Sequence, residues 1–248
     1  MSLSIIIPVL NEEAEIADVL AALAPLRACG AETIVVDGGS CDRTVALAAP
    51  LADRVITAPR GRAMQMNAGA AAASADVLLF LHADTRLPAE ADRLVLEGLA
   101  RSGRQWGRFD VRISGRHPLL LVVATLMNIR SRLTGVATGD QAIFVRRNLF
   151  ERVGGFPAIP LMEDVALSSQ LRRAGEPLCV TPRAVTSGRR WEERGVIRTI
   201  LLMWRIRLAY SLGAPPARLA RLYSHAAPPP LSLPQPDRQR PRRPSQPV

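Results

Sequence analysis

Short apolar runs alternate with longer amphipathic segments over the first part of the chain. The apolar runs are rich in Ile, Val and Leu and predict buried strands, at residues 4–9, 33–36, 54–57 and 77–81. The segments between and after them predict helices, at residues 42–49, 63–75 and 89–99. A further helix is expected after the first strand, with Asn11 as its cap and Pro25 ending or kinking it. This alternation predicts an α/β fold with a mainly parallel sheet flanked by helices.

The pattern changes after Gly103. Phe109, Val111 and Ile113 alternate with polar residues, which predicts a half-exposed antiparallel strand. The later elements predicted are a helix and a strand, at residues 119–132 and 141–145.

We expect a single domain over residues 1–225, with a soft boundary near residue 103. Its parts are two halves and a set of C-terminal helices, at residues 1–103, 104–190 and 191–225. The segment 226–248 contains eight prolines and four arginines and is predicted to be a disordered tail.

The composition limits the function classes. Hydrophobic residues make up 48% of the 248 residues, enough for a sizeable core. The formal charge is +10, and arginine carries all of the positive charge because the sequence contains no lysine. A basic surface attracts phosphates and anionic lipids. A nucleic-acid binder is disfavoured because no recognisable basic helix or aromatic stacking motif accompanies the charge.

The cysteines and the N-terminal sequence indicate a compartment. The three cysteines have neither metal-ligand spacing nor the pattern of a disulfide framework, which favours a reducing environment. The first residues lack the basic region and the cleavage site of an export signal. We therefore expect a cytoplasmic protein.

Two apolar stretches, 118–129 and 196–212, raise the question of membrane contact. The first is shorter than the roughly 20 residues that a span requires, and the second contains three arginines. On a helix, Arg198 and Arg205 share one sector whereas Arg207 points the other way. The second stretch is therefore expected to be an interfacial helix, a subunit contact or a buried terminal helix. The interfacial alternative would place the protein peripherally on the inner face of the membrane.

Three segments combine an apolar run with acidic residues, at 34–40, 77–85 and 161–167. The first two are strands that stop at a carboxylate, and open α/β sheets bind their ligands at such strand ends. The third is a loop that enters a helix with two adjacent acids. One carboxylate can hold a divalent cation while another removes a proton from an attacking group. This arrangement suits a substrate that carries a diphosphate leaving group.

Five segments, in this order, resemble the inverting family-2 glycosyltransferases. They are SIIIPVLNEE at 4–13, VVDGGSCDRT at 35–44, GRAMQMNAGAAAASADVLLFLHADT at 61–85, TGDQAIFVRR at 138–147 and GGFPAIPLMEDVAL at 154–167. The resemblance extends from residue 4 to about 190 and implies the Rossmann-like GT-A fold. The amino-acid sequences of these segments most resemble those of a small bacterial subgroup linked with selenium- or arsenosugar-related gene neighbourhoods.

The resemblance assigns one group of residues to the nucleotide of the donor: Pro8, Asn11, Glu12, Asp37, Arg62, Asn67 and His82. The first three would border the base, and Asp37 would accept a hydrogen bond from a pyrimidine N–H. Arg62 and Asn67 would reach base or phosphate. The competing interpretations are a loop-capping role for Asp37, an ordinary arginine-rich loop, and a polar helix face.

His82-Ala83-Asp84 stands where the family usually has two acids separated by one residue. A hard cation prefers oxygen, so Asp84 is the predicted ligand of Mg²⁺ or Mn²⁺, together with diphosphate oxygens and water. His82 departs from the family pattern. We assign it to the vicinity of the nucleotide, with a hydrogen-bonded histidine at the strand end as the alternative.

The acidic pair Glu163-Asp164 corresponds to the catalytic acids of the family. Asp164 would be the general base that takes the proton of the acceptor hydroxyl as its oxygen attacks the anomeric carbon. The alternative is that both acids cap a helix and favour its positive end.

The resemblance places Gly139 and Asp140 in a loop beside the acceptor, where Asp140 would bind a sugar hydroxyl. Arg190 would neutralise diphosphate and Trp191 would stack on sugar, with a surface arginine and a core tryptophan as the alternatives. Ser187 stands where processive relatives carry Gln, which argues against polymer synthesis.

The sequence therefore predicts a metal-dependent, nonprocessive, hexosyltransferase-like enzyme. It would move a sugar from a nucleoside diphosphate to a small or lipid-linked hydroxyl acceptor, with nucleotide recognition before residue 103 and acceptor recognition after it. The alternative is a noncatalytic nucleotide-sugar sensor or partner protein on the same fold.

Overall fold

A computed structural model of the chain describes residues 1–225. Within these residues one eight-stranded sheet forms, in the order β3-β2-β1-β4-β7-β6-β8-β5. Its strands are β1 (Leu3–Val9), β2 (Glu32–Asp37), β3 (Arg54–Thr57), β4 (Val77–Phe80), β5 (Thr85–Arg86), β6 (Trp106–Ser114), β7 (Phe144–Arg146) and β8 (Leu178–Ser187).

Helices flank this sheet. They are α1 (Ile16–Ala28), α2 (Thr44–Ala48), α3 (Arg62–Ala72), α4 (Ala91–Ser102), α5 (Leu119–Thr134), α6 (Arg147–Arg152), α7 (Glu163–Ala174), α8 (Arg189–Arg194), α9 (Val196–Ser211) and α10 (Pro216–His225). A short 3₁₀ turn, Gly139–Gln141, precedes β7.

An inner strand of the sheet, β1, is buried along its whole length. It pairs in parallel with β2 and β4, and β2 pairs in parallel with β3. Val9 is opposite Asp37, so the carboxyl ends of β1 and β2 lie at the same edge of the sheet. The predicted α/β fold, with a mainly parallel sheet between helices, is confirmed.

The expected start of α1 was wrong, and so was the alternative in which Pro25 ends the helix. The helix begins at Ile16 rather than directly after Asn11, and it continues past Pro25 to Ala28. The alternative that Pro25 kinks the helix stays a prediction. Asn11 adopts a φ of 55° and uses its side chain elsewhere. Its Oδ1 accepts from the backbone N of Cys41 at 2.9 Å, which ties the loop after β1 to the loop after β2.

The expectation of a half-exposed antiparallel β6 was also wrong. The strand is buried from Trp106 to Val111, and it is antiparallel to β7 but parallel to β8. The reason is that two of its polar residues neutralise each other: Arg108 forms an ion pair with Asp110 beneath α5. Arg132 of α5 adds a second ion pair to Asp110, at 2.7 Å. The polar residues Arg108 and Asp110 that alternate with apolar ones in β6 therefore belong to a buried charge network and are not exposed to solvent.

The strand expected at 141–145 is shorter and lies later, at 144–146, because the 3₁₀ turn occupies residues 139–141. Gln141, in this 3₁₀ turn, has a buried side chain whose Oε1 accepts from the backbone N–H of Thr138 at 3.3 Å.

The strands β5 and β8 were not predicted. Exposed residues and Pro182 interrupt the apolar pattern of β8, and its pairing with β6 shifts register between Phe109 and Asp110.

Within the described part of the chain, no helix is both long enough and apolar enough to cross a membrane. Peripheral contact through 196–212 and the division of the chain near residue 103 stay predictions. The predicted disordered tail, 226–248, lies outside the described residues.

The charge network under α5 yields a stability prediction. Asp110→Ala should lower the free energy of unfolding by about 3–5 kcal/mol, because it leaves the fully buried Arg108 guanidinium without its carboxylate. Equilibrium urea unfolding measures the loss. The control is Glu176→Ala, which removes an exposed ion pair to Arg104 and should cost less than about 1 kcal/mol. Equal losses in both variants would contradict the role of the buried pair.

Candidate functional site

A cavity of about 1210 Å³ opens beside the end of β4. Predicted site residues from five parts of the chain line it: Arg62, His82, Asp84, Asp140, Glu163, Asp164, Arg190 and Trp191. Arg62 begins α3, His82 and Asp84 follow β4, Asp140 lies in the 3₁₀ turn, and Glu163 begins α7. The structure thus brings most of the predicted residues into one cleft.

Asp84 lies at one end of this group of charges, near Glu12. Burial raises the pKa of Glu12, and the charge of Asp84 raises it further, whereas Arg190 opposes the shift. Arg190 lies 3.8 Å from Glu12, measured between Nη2 and Oε1. Arg190 of α8 thus faces Glu12 in the loop after β1, close to Asp84. Glu12 itself is not part of the cavity wall, and its contact with the nucleotide stays a prediction.

His82 packs tightly in the middle of the cleft. Its Nδ1 lies 3.4 Å from Oδ1 of Asp140, and its ring is so close to Gly139 that an added Cβ would lie 2.3 Å from the ring. Burial raises the pKa of Asp140, but the hydrogen bond from His82 and the nearby arginines outweigh it, so the pKa is lowered. The 3₁₀ turn and the end of β4 are thereby held together.

Asp164 lies in the first turn of α7, where the backbone holds both of its carboxylate oxygens. Oδ2 accepts from the N–H of Gly139 at 2.8 Å, and Oδ1 accepts from the N–H of Val165 at 2.7 Å. Its neighbour Glu163 is buried. Burial and the charge of Asp164 raise the pKa of Glu163, against the opposing effect of Arg62.

Arg62 faces these acids across the cleft. Desolvation lowers its pKa, but the charges of Glu163, Asp140 and other groups more than compensate, so the pKa of Arg62 is raised. The guanidinium is therefore positioned to hold negative charge between the Asp84 end and the Asp164 end.

Several predicted nucleotide residues lie outside the cavity wall. Pro8 is in β1, opposite Val36. Asp37 is buried and accepts from the N–H groups of Gly39 and Ser40 at 3.0 and 3.1 Å, as its loop-capping alternative expects. The nucleotide contacts of Pro8, Asp37 and Asn11 stay predictions.

Asn67 is largely engaged by the backbone of Phe156. Its Nδ2 donates to the carbonyl at 2.8 Å, and its Oδ1 accepts from the N–H at 2.9 Å. The residue thus clamps the loop before α7 onto α3. One amide N–H remains for a nucleotide, and that contact stays a prediction.

Trp191 has two environments. Its side chain packs against the small apolar cluster of Ile113, Leu120, Ala124 and Val196, and it also lines the cavity. Both the core interpretation and the sugar-stacking interpretation fit this position.

The donor atoms in the cleft are compatible with a hard divalent cation. Asp84 offers carboxylate oxygen, but no group of three or more His, Cys, Asp or Glu side chains arranged to hold a metal occurs in the described residues. Mg²⁺ commonly binds through one or two carboxylates plus substrate phosphates and water. Asp84 therefore fits a divalent cation whose other ligands would come from a bound diphosphate and water.

Four arginines that the sequence did not mark as site residues line the cavity: Arg130, Arg194, Arg205 and Arg207. Arg130 of α5 and Arg207 of α9 both line it, near Asp164. The helical sector of Arg207 gave no signal, because Arg205, in the opposite sector, lines the cavity as well. Arg130 carried no signal either, because it ends a long apolar run.

The chain is similar to known proteins both in sequence and in structure. The model of the family described as glycosyl transferase family 2 matches residues 4–153. The probable glycosyltransferase YdaM of Bacillus subtilis is 28% identical over 235 residues, which cover 85% of this chain and 54% of that protein. The chain thus spans about half the length of this curated relative.

Two solved structures illustrate the structural likeness. S. aureus TarS 1–349 in complex with UDP-GlcNAc has a TM-score of 0.63 at 16% identity, over 75% of this chain and 58% of that one. The mannosyltransferase PcManGT from Pyrobaculum calidifontis, in complex with GDP-Man and Mn²⁺, has a TM-score of 0.61 at 22% identity, over 90% and 69%. At these identities the likeness establishes the GT-A fold. Since the family model covers more than half of its residues, the chain belongs to glycosyl transferase family 2.

Proposed function

We propose that the protein is a metal-dependent, inverting, nonprocessive glycosyltransferase. It would transfer a sugar from a nucleoside diphosphate to a small or lipid-linked hydroxyl acceptor. The observation that carries the proposal is that Asp84 and Asp164, eighty positions apart in the sequence, line the same cleft. Such convergence is what single displacement requires, because the leaving group and the nucleophile act on one carbon.

The donor diphosphate is assigned to the Asp84 end of the cleft. Of the two structural relatives, one is in complex with UDP-GlcNAc and the other with GDP-Man and Mn²⁺, which supports a nucleotide-sugar donor and a divalent cation. Bound at Asp84, Mg²⁺ or Mn²⁺ would supply positive charge to the departing diphosphate. Arg62 and Arg190, whose charges both act on the nearby Glu12, would add positive charge there.

The acceptor hydroxyl is assigned to the Asp164 end. There the carboxylate takes the hydroxyl proton as the oxygen attacks the anomeric carbon, on the side opposite the leaving diphosphate, and the configuration inverts. The N–H groups of Gly139 and Val165 hold the carboxylate in one orientation. Its neighbour Glu163 has a raised pKa, which suits a group that keeps a proton beside the base.

The surroundings of Asp164 support an acceptor with an apolar part. Exposed side chains of α5 and α9 line the outer cavity, among them Leu126 and Trp204. Asp140 is available for a hydroxyl of the acceptor, and Ser187 in place of Gln favours a single transfer over polymer synthesis. The exposed face of 196–212 is where peripheral membrane contact would occur. The link to a selenium- or arsenosugar-related subgroup stays a prediction.

One observation favours the second candidate, a noncatalytic nucleotide-sugar sensor. His82 replaces an acid of the family pattern and is engaged by Asp140. The enzyme is favoured because both Asp84 and Asp164 are retained. Metal-dependent release of nucleoside diphosphate from a sugar donor discriminates the two, since a sensor binds the donor without cleaving it.

Asp164→Asn should lower kcat by about 10²–10⁴-fold and leave donor binding almost unchanged, because it removes the proton acceptor and keeps the shape. Turnover of the donor in the presence of Mn²⁺ measures the first effect, and calorimetric titration with UDP measures the second. Glu176→Gln, on an exposed carboxylate, is the matched control and should retain turnover. Near-normal turnover in Asp164→Asn would refute the assignment of the base.

Asp84→Asn should weaken UDP binding in the presence of Mn²⁺ by roughly tenfold or more, since even outer-shell changes at metal sites cost that much. Without Mn²⁺ the variant and the unchanged protein should bind UDP alike. His82→Gln should keep the dependence on Mn²⁺, because His82 is assigned to the nucleotide and not to the metal. Calorimetric titrations of the three proteins with and without Mn²⁺ measure these differences. Full Mn²⁺ dependence in Asp84→Asn would remove that residue from the metal site.

A further inference from the structure

Two arginines of the cavity wall come from helices in which the sequence predicted no site residue. Arg130, near the end of α5, and Arg207, in α9, both lie in the cavity wall. Burial, followed by the like charge of Arg207, lowers the pKa of Arg130 to about 10. Burial also lowers the pKa of Arg207. The two guanidinium groups therefore repel each other in a partly dehydrated part of the site.

Neither arginine has a counter-ion within the described residues. No carboxylate there lies within the 4.0 Å that defines an ion pair for either guanidinium. The Nη2 atom of Arg130 is buried and has no hydrogen-bond partner among the described residues. Buried charges and donors in proteins are normally paired, because desolvation without a partner is costly. Two such groups side by side in a cavity indicate an anion that arrives with a ligand.

The position of Arg130 and Arg207 indicates whether they would bind the acceptor or the diphosphate of the donor. The carboxylates that act on Arg207 are Asp164 and Asp140, and Asp164 also acts on Arg130. By contrast, Arg190 is the arginine beside Glu12, whose other near carboxylate is Asp84. The arginine pair thus lies near the proposed base, Asp164, which acts on both guanidinium groups.

The walls that lead away from the pair are apolar and exposed. On α5, Leu126, Ile129 and Leu133 are 52, 49 and 78% exposed, and all three line the cavity. On α9, Leu201, Trp204 and Leu208 are 59, 66 and 63% exposed and line it as well. Exposed apolar area on this scale marks a binding surface. Basic groups at the inner end of an apolar channel match a molecule with an anionic head and an apolar chain.

We propose that Arg130 and Arg207 form an anion-binding subsite for the acceptor, which carries a phosphate-like group near its reactive hydroxyl and an apolar chain between α5 and α9. This assignment deepens the proposed transfer reaction and rests on it. The anion fixes the head of the acceptor beside Asp164, and the chain leaves along the apolar walls. The pair would then select anionic amphiphiles over neutral alcohols.

The test measures binding of octyl phosphate, below its micelle concentration, to the full chain by calorimetric titration. Arg130→Gln and Arg207→Gln should each lower its affinity about tenfold or more, because each removes a charge-assisted hydrogen-bond donor. Arg198→Gln is the matched control, since Arg198 is exposed on the same helix and does not line this cavity. Inorganic phosphate and octanol, tested in parallel, should each bind at least tenfold more weakly than octyl phosphate.

A second titration, with UDP and Mn²⁺, shows whether the variants are folded and which ligand the arginines serve. Unchanged UDP affinity in both variants supports the acceptor subsite. Loss of UDP affinity with no change in octyl phosphate affinity would assign the pair to the donor and overturn the proposal, as would equal octyl phosphate binding by all the proteins. Inorganic phosphate binding as tightly as octyl phosphate would overturn the apolar channel. Arginine-dependent binding of octyl phosphate without any binding of UDP would refute the proposed transferase reaction and leave the anion subsite standing.

Discussion

The hydrogen bond from the N–H of Gly139 to the carboxylate of Asp164 is the contact on which the site depends. It joins the turn before β7 to the first turn of α7, at a distance of 2.8 Å. The same turn carries Asp140, which engages His82 at the end of β4. Because the ring of His82 rests on Gly139, a side chain larger than hydrogen cannot enter there without displacing it. One small residue therefore sets the distance between the strand-end group and the helix-start group.

Much of the fold could be predicted because buried parallel strands have a simple signature. β1 and β4 are short runs of apolar residues, buried throughout, and their pattern alone indicated the sheet. β6 was misread because a sequence does not show that Arg108 and Asp110 neutralise each other under a helix. The start of α1 was misread for a related reason. The side chain of Asn11 accepts a hydrogen bond from the backbone N–H of Cys41, in a distant loop, and does not cap the helix that follows it.

The candidate site was predictable where chemistry and strand ends coincide, as at Asp84, and where acids open a helix, as at Asp164. Arg130 and Arg207 were not assigned, because their significance comes from two distant helices that close on one cavity. The pairing of two like charges in a dehydrated wall has no signature in one sequence. Asn67 was assigned to the nucleotide, but its two hydrogen bonds to the backbone of Phe156 hold α3 and the loop before α7 together, a structural role that the local sequence did not indicate.

The central claim is that Asp84 and Asp164 act on opposite sides of one anomeric carbon, so that transfer proceeds by a single displacement. The most direct measurement is the configuration of the first sugar released when water replaces the acceptor, followed by proton NMR before mutarotation, with an α-linked nucleoside-diphosphate sugar and Mn²⁺. The account predicts that the β anomer appears first. Initial release of the α anomer would contradict it.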